Sequence, residues 1–204
     1  MGFEQKQVTD VAPLRAAVHA FSRLVGATTD EQEILGEGSA ILARLVARDA
    51  WLPEAFAQPS PERYQQYLLH CDSEERFSIV SFVWGPGQQT PIHNHTVWGL
   101  VGVLRGAEYS QAYSLSQRRV VPHGPETLLE RGHVEAISPA AGDIHQVRNA
   151  YAYRASISIH VYGANIGAVR RSTFAPDGTA RTFISGYSNS VLPNLWDRSG
   201  EASR

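Results

Sequence analysis

Cysteine is nearly absent from this sequence, where Cys71 stands alone. A single thiol excludes an internal disulfide framework and any cysteine-rich zinc site, and it suits a reducing cytoplasm. A basic excess is missing as well. The 18 lysines and arginines are outnumbered by 20 aspartates and glutamates, which leaves no broad cationic surface for nucleic acid or an anionic membrane. No apolar run approaches the roughly 18 residues of a membrane span, and no signal-peptide pattern opens the chain. A cytoplasmic protein is therefore expected, with no nucleic acid, no membrane and no protein partner implied. Internal repeats and low-complexity segments are missing too.

What is present is ordinary for a globular protein: 204 residues, 43% hydrophobic and 19% charged. That length suits one domain, with or without an appendage. Residues 8–25 space Val11, Leu14, Val18, Phe21 and Leu24 at three and four, so an amphipathic helix is expected to end at Gly26. Thr28, Thr29 or Asp30 can cap a second helix that carries Ile34, Leu35, Ile41, Leu42, Leu45 and Val46 and ends before Trp51. After a loop over 52–60, the stretch Ser60-Pro61-Glu62-Arg63 reads as the start of a short helix running to His70.

From Phe77 the pattern changes to short strands divided by Gly, Pro and His. Expected strands cover 77–84, 93–104, a hairpin partner after Gly106, 118–121, 127–130, 134–137, 144–148, 155–162 and 169–174. This predicts a mainly β fold, a sandwich or small barrel preceded by a helical segment. The expected organisation is one domain over 1–204, mainly helical to 75 and barrel over 76–185. Residues 186–204 would form a loosely packed C-terminal extension ending in GEASR.

Within the strand-rich part, His93-Asn94-His95 is the stretch of greatest interest. Histidines one residue apart on a strand project to the same face, and imidazole suits zinc, copper, iron or nickel. A third histidine, His145, follows the turn Pro139–Asp143 onto a later strand, from which it could cross the barrel interior to the first two. Three histidines leave coordination positions open, which is a catalytic arrangement. The competing reading is that His145 only packs.

Gly87, five residues, H-x-H and a closing Gly106 resemble the first cupin motif, and Gly142, His145 and Asn149 resemble the second. The resemblance implies a cupin-type β-barrel. Most cupins carry a metal-binding glutamate four or five residues after the second histidine, where this chain has Gly99 and Leu100. A neutral triad leaves a bound metal its full charge, which favours anionic ligands such as a thiolate. Further along, Ser158-Ile159-His160-Val161-Tyr162 places serine, histidine and tyrosine on one strand face. That face is either a solvated polar surface or a hydrogen-bond relay ending at the Tyr162 hydroxyl.

Three histidines with S-x-H-x-Y resemble the thiol dioxygenases, the cupin family that includes cysteine dioxygenase, over about residues 63–174. The resemblance implies one Fe(2+) per chain held by His93, His95 and His145. Tyr162, His160 and Ser158 would be the catalytic relay, and the substrates would be a small thiol and O2. Animal cysteine enzymes have a Tyr-x-Arg stretch where this chain reads Tyr64-Gln65-Gln66. They also carry a cross-linking cysteine near Gly99, and Cys71 lies outside that region. Gln66 together with Arg171 resembles the bacterial 3-mercaptopropionate dioxygenases and implies substrate-binding roles for both residues. Trp84 and Trp98 are expected in the core or the pocket wall. A different metal-dependent cupin enzyme, or a binding barrel without catalysis, remains open on the residues alone.

Overall fold

The computed structural model describes residues 9–196. Two helices come first, α1 (Ala12–Ala27) and α2 (Glu31–Val46), followed by a 3-10 turn at Glu54–Phe56. α1 begins later than the periodicity suggests because Pro13 lies in its first turn, where its missing N–H costs nothing. Val8 lies outside the described residues. Of the three candidate caps for α2 it is Asp30 that serves, its carboxylate accepting from the N–H groups of Gln32 and Glu33.

Twelve strands follow among the described residues: β1 (Gln65–Cys71), β2 (Ser78–Trp84), β3 (Ile92–His93), β4 (Gly99–Arg105), β5 (Ala107–Ser116) and β6 (Arg119–Pro122), then β7 (Thr127–Glu130), β8 (Val134–Ile137), β9 (Ile144–Asn149), β10 (Ser156–Tyr162), β11 (Arg171–Phe174) and β12 (Ala180–Phe183). They form two antiparallel sheets, ordered β1-β2-β10-β4-β8 and β12-β11-β3-β9-β5-β6, with β7 also paired to β5. This is the mainly β, cupin-type double sheet that the motifs imply, with its helices at the N-terminus.

The two faces of the first sheet have different tasks. Ile157, Ile159 and Val161 of β10 pack with Phe21, Leu42 and Val46 of the helices. The alternate residue Tyr162 packs with Val80, Phe82, Trp84 and, from the second sheet, Val147. The helices therefore cover the outside of the first sheet, and the space between the sheets holds the polar residues of interest. Period-two alternation makes this division along a single strand.

Four expectations need correction. Residues 65–71 form strand β1, paired with β2 from Gln65↔Val83 to Cys71↔Ser78, where a helix to His70 was expected. Tertiary pairing with a fully buried strand outweighs the proline cap signal, and the helical part of the chain ends well before residue 75. The single strand expected over 93–104 is broken into β3 and β4. The chain after Gly106 is not a hairpin partner of β4, because β5 belongs to the other sheet. Gly106 turns that corner with φ 76°, a conformation that disfavours a side chain.

The C-terminal stretch is the fourth. Ser188 exchanges bonds with the backbone of Gln66, Asn189 does so with Leu68 along the free edge of β1, and Leu195 is buried. Pairing that edge removes its unsatisfied donors and acceptors. The segment is thus anchored at Ser188, Asn189 and Leu195, while Val191, Leu192 and Trp196 stay exposed, and GEASR lies outside the described residues.

Candidate metal centre

Three histidines converge between the sheets. The nearest ring nitrogens of His93, His95 and His145 all lie within 4.8 Å of one another, and all three residues are buried. The route to this convergence differs from simple strand alternation. His93 is on β3 and pairs directly with His145 on β9, so the two are neighbours on adjacent strands rather than partners across the interior. His95 lies in the turn after β3. Asp143 builds that turn, its carboxylate accepting from the backbone N–H groups of His95 and Thr96 at 2.7 Å each. Thr96 has φ 63°, unfavourable for a β-branched residue by roughly 1–3 kcal/mol, and the two charge-assisted bonds offset it.

The donor set fits a divalent metal. His93 Nδ1 lies 3.0 Å from the Pro91 carbonyl, and His95 Nδ1 lies 3.3 Å from that of Asp143. A carbonyl can only accept, so Nδ1 carries the hydrogen and Nε2 presents a lone pair. His95 Nε2 is buried without a partner among the described residues. Burial lowers the pKa of all three rings, that of His93 to about 4, and the mutual proximity of the rings lowers those of His95 and His145 further. Each ring is neutral at pH 7 and free to ligate.

Gly99 and Leu100 account for the missing glutamate. Gly99 pairs with Tyr162 across β4 and β10, and a Cβ on it would meet the tyrosine ring at 3.0 Å. Leu100 turns to the helix-covered core. Position 99 therefore faces the Tyr162 ring beside His95 but carries no side chain, and position 100 faces away.

Ser158, His160 and Tyr162 share one face of β10 and form a hydrogen-bonded row. Ser158 Oγ is 2.8 Å from His160 Nε2, and His160 Nδ1 is 2.8 Å from the Tyr162 hydroxyl. All three are buried, so the face is not solvated. Burial lowers the His160 pKa to about 3 and raises that of Tyr162, leaving both neutral. Phe82 stacks on His160 at 4.1 Å, and the Tyr162 ring stacks on His95 at 5.5 Å. The row therefore ends beside the histidine cluster.

Arg171 is only 4% exposed, which excludes an ordinary surface charge. Its guanidinium bonds Ser185 at 2.6 Å and packs on Phe183, and its Nε has no partner among the described residues. Its charge lowers the pKa of His93 and His95 and opposes the burial-driven rise at Tyr64 and Tyr162. Gln66 lies on β1 opposite Phe82, on the same strand face as Tyr64 and Leu68, which line the inner cluster.

Family-level comparison agrees with this geometry. The family model for cysteine dioxygenase type I matches residues 11–173. The chain belongs to the cysteine dioxygenase type I family. As a member it is a thiol dioxygenase, a class that takes a small-molecule substrate and O2, and its three-histidine cluster fits the metal site. Cysteine dioxygenase type 1 of Danio rerio is 25% identical over 153 residues, spanning 72% of this chain and 69% of that protein. Among solved structures, an uncharacterized double-stranded β-helix protein from Klebsiella pneumoniae is 18% identical with a TM-score of 0.44, covering 65% of this chain and 87% of its own. An RmlC-like cupin protein from Desulfovibrio desulfuricans is 24% identical with a TM-score of 0.37, covering 52% and 89%. No helix among the described residues is long and apolar enough to cross a membrane.

Sequence reasoning missed two contributors. Trp84 does more than line a wall, since its Nε1–H donates to Ser158 Oγ at 3.2 Å. Asp143 stands two residues before His145 and fixes His95, 48 residues away. Its signal was the aspartate of the Gly142-Asp143-Ile144-His145 turn, whose partner only the fold reveals.

Proposed function

We propose that the chain is a mononuclear iron(II) enzyme, one Fe(2+) per chain, that adds both atoms of O2 to a small thiol carboxylate and releases the sulfinate. The favoured substrate is 3-mercaptopropionate. His93, His95 and His145 would hold the iron, which supplies the one-electron chemistry toward O2 that side chains lack. The observation that carries this reading is the buried, neutral three-histidine cluster with the Tyr162 row ending beside it.

The chain's own residues then have separable tasks. Tyr162, neutral and held by His160, donates a hydrogen bond toward the reacting atoms. Ser158 fixes the His160 ring. Arg171 takes the substrate carboxylate through its planar fork, with burial strengthening the pairing. Gln66 is neutral and steers the substrate without adding a second cation to the pocket. The dry, aromatic surroundings of Phe82, Trp84 and Tyr64 keep bulk water away. The lone cysteine favours a reducing, cytoplasmic site of action.

A second reading, cysteine as the substrate, is favoured by the name of the Danio rerio relative. The two part in one experiment, steady-state oxygen uptake by iron-loaded protein with each thiol. We expect kcat/KM to favour 3-mercaptopropionate by roughly tenfold, about 1.4 kcal/mol of differential transition-state binding. A clear preference for cysteine selects the second reading, and no uptake with any small thiol contradicts both.

A further inference from the structure

Glu108, the second residue of β5, is completely buried, and no task described so far uses its carboxyl group. That group interacts with Ser158, Ser156 and Trp84. None of these approaches has full hydrogen-bond geometry, so both carboxyl oxygens and the Ser156 hydroxyl are without a partner among the described residues. Such groups are rare inside folded proteins and ask for an explanation. The position of this one supplies it, because Ser158 is the far end of the row that leads through His160 to Tyr162.

The direction of the hydrogens in that row is a two-way choice. A neutral imidazole carries one N–H. In one arrangement Ser158 donates to His160 Nε2, His160 Nδ1–H donates to the Tyr162 oxygen, and the tyrosine hydrogen is free to point at the histidine cluster. In the other every hydrogen is reversed, and the tyrosine hydrogen points back at His160. Trp84 Nε1–H only donates, so it occupies an acceptor site on Ser158 either way. The choice then falls to the remaining neighbour. An ionised carboxylate only accepts, draws the Ser158 hydrogen to itself and forces the reversed row. A protonated carboxyl donates to Ser158 and supports the forward one.

We propose that Glu108 is a positioning residue that carries a proton and, by donating it in a hydrogen bond to Ser158, aims the Tyr162 hydroxyl at the metal cluster. The inference rests on the reading of Tyr162 as the donor toward the reacting atoms. Burial raises the Glu108 pKa to about 8, Glu135 pushes it the same way, and the two serines and Trp84 oppose the rise. The titratable groups that face it are Glu135 on β8 and Tyr162 on β10. Glu135 is itself raised by burial and bonded to Ser110. The proton is therefore in place at neutral pH and leaves in mildly alkaline solution, where the row reverses.

The test compares iron-loaded wild type, Glu108→Gln and Glu108→Met by infrared spectroscopy with carbon-13-labelled glutamate, and by the pH profile of kcat. Wild type should show a carboxylic-acid carbonyl band at pH 7 that fades on titration through about pH 8 and is missing from Glu108→Gln. Its kcat should fall over the same alkaline range. Glu108→Gln, whose amide donates at every pH, should turn over more slowly but lack that alkaline limb. Glu108→Met, with no donor, should lose about tenfold or more in kcat with KM and iron content unchanged. Absence of the acid band from wild type, or identical alkaline limbs in wild type and Glu108→Gln, overturns the proposal. Should no thiol support oxygen uptake, the functional reading falls, while the infrared band still decides whether Glu108 carries the proton.

Discussion

His93 sits directly opposite His145 in the antiparallel pairing of β3 with β9, and their ring centroids are 4.9 Å apart. One cross-strand pair and one turn residue thus make the whole cluster, with no side chain in reserve among the described residues. His93→Ala, His95→Ala and His145→Ala should each lose most of the bound metal and retain the β-sheet circular dichroism of the wild type. Metal analysis after desalting measures this. Stoichiometric iron in all three variants would remove the cluster from consideration as the metal site.

The carboxylate of Asp143 holds the His95 turn in a strained conformation and makes no bond to an imidazole nitrogen. Asp143→Ala should therefore weaken metal binding by about 10–100-fold, the range seen when groups that orient ligands are removed. Competition with a chelator of known affinity provides the measurement. An unchanged metal affinity would mean that β3 alone positions His95.

Tyr162→Phe removes one hydroxyl from the end of the row and leaves its ring stacked on His95. Turnover should slow by about 10–1000-fold at constant metal content. Equal turnover would reduce the row to a packing feature.

Much of this arrangement is legible in the sequence where one strand carries the information. The Ser158, His160 and Tyr162 face follows from alternation, and the all-buried β2 follows from its unbroken apolar run. That His95 joins the cluster is legible from H-x-H, but its route there is not, because it depends on a turn held by Asp143, 48 residues on and just before β9. The strand at Gln66 is hidden for a similar reason. Its helix-like start at Pro61 is local, whereas its pairing with β2 and with Ser188 and Asn189 is not. Glu108 reads as one polar residue in an alternating strand until the fold closes over it.

Stability should carry the mark of Glu108. An unfolded glutamate titrates near about 4.3, and here burial raises the pKa to about 8. Between those values the folded chain holds a proton that the unfolded chain has released. Stability from this group is then full below the unfolded pKa and declines with rising pH, by up to about 1.4 kcal/mol per unit, until the folded pKa is passed. The buried histidines titrate in the opposite sense at lower pH, so the difference between wild type and Glu108→Gln isolates the carboxyl. Urea unfolding at pH 5 and pH 8 should show wild type losing more stability than the variant. Parallel losses would indicate a carboxyl that is already ionised at pH 5.

The most direct test of the account follows the oxygen atoms. Iron-loaded protein is supplied with oxygen-18 gas and 3-mercaptopropionate in ordinary water, and the product is weighed by mass spectrometry. The account predicts a sulfinate carrying two labelled oxygens, formed by wild type and not by His145→Ala. A product with one labelled oxygen, or a disulfide with none, would contradict it.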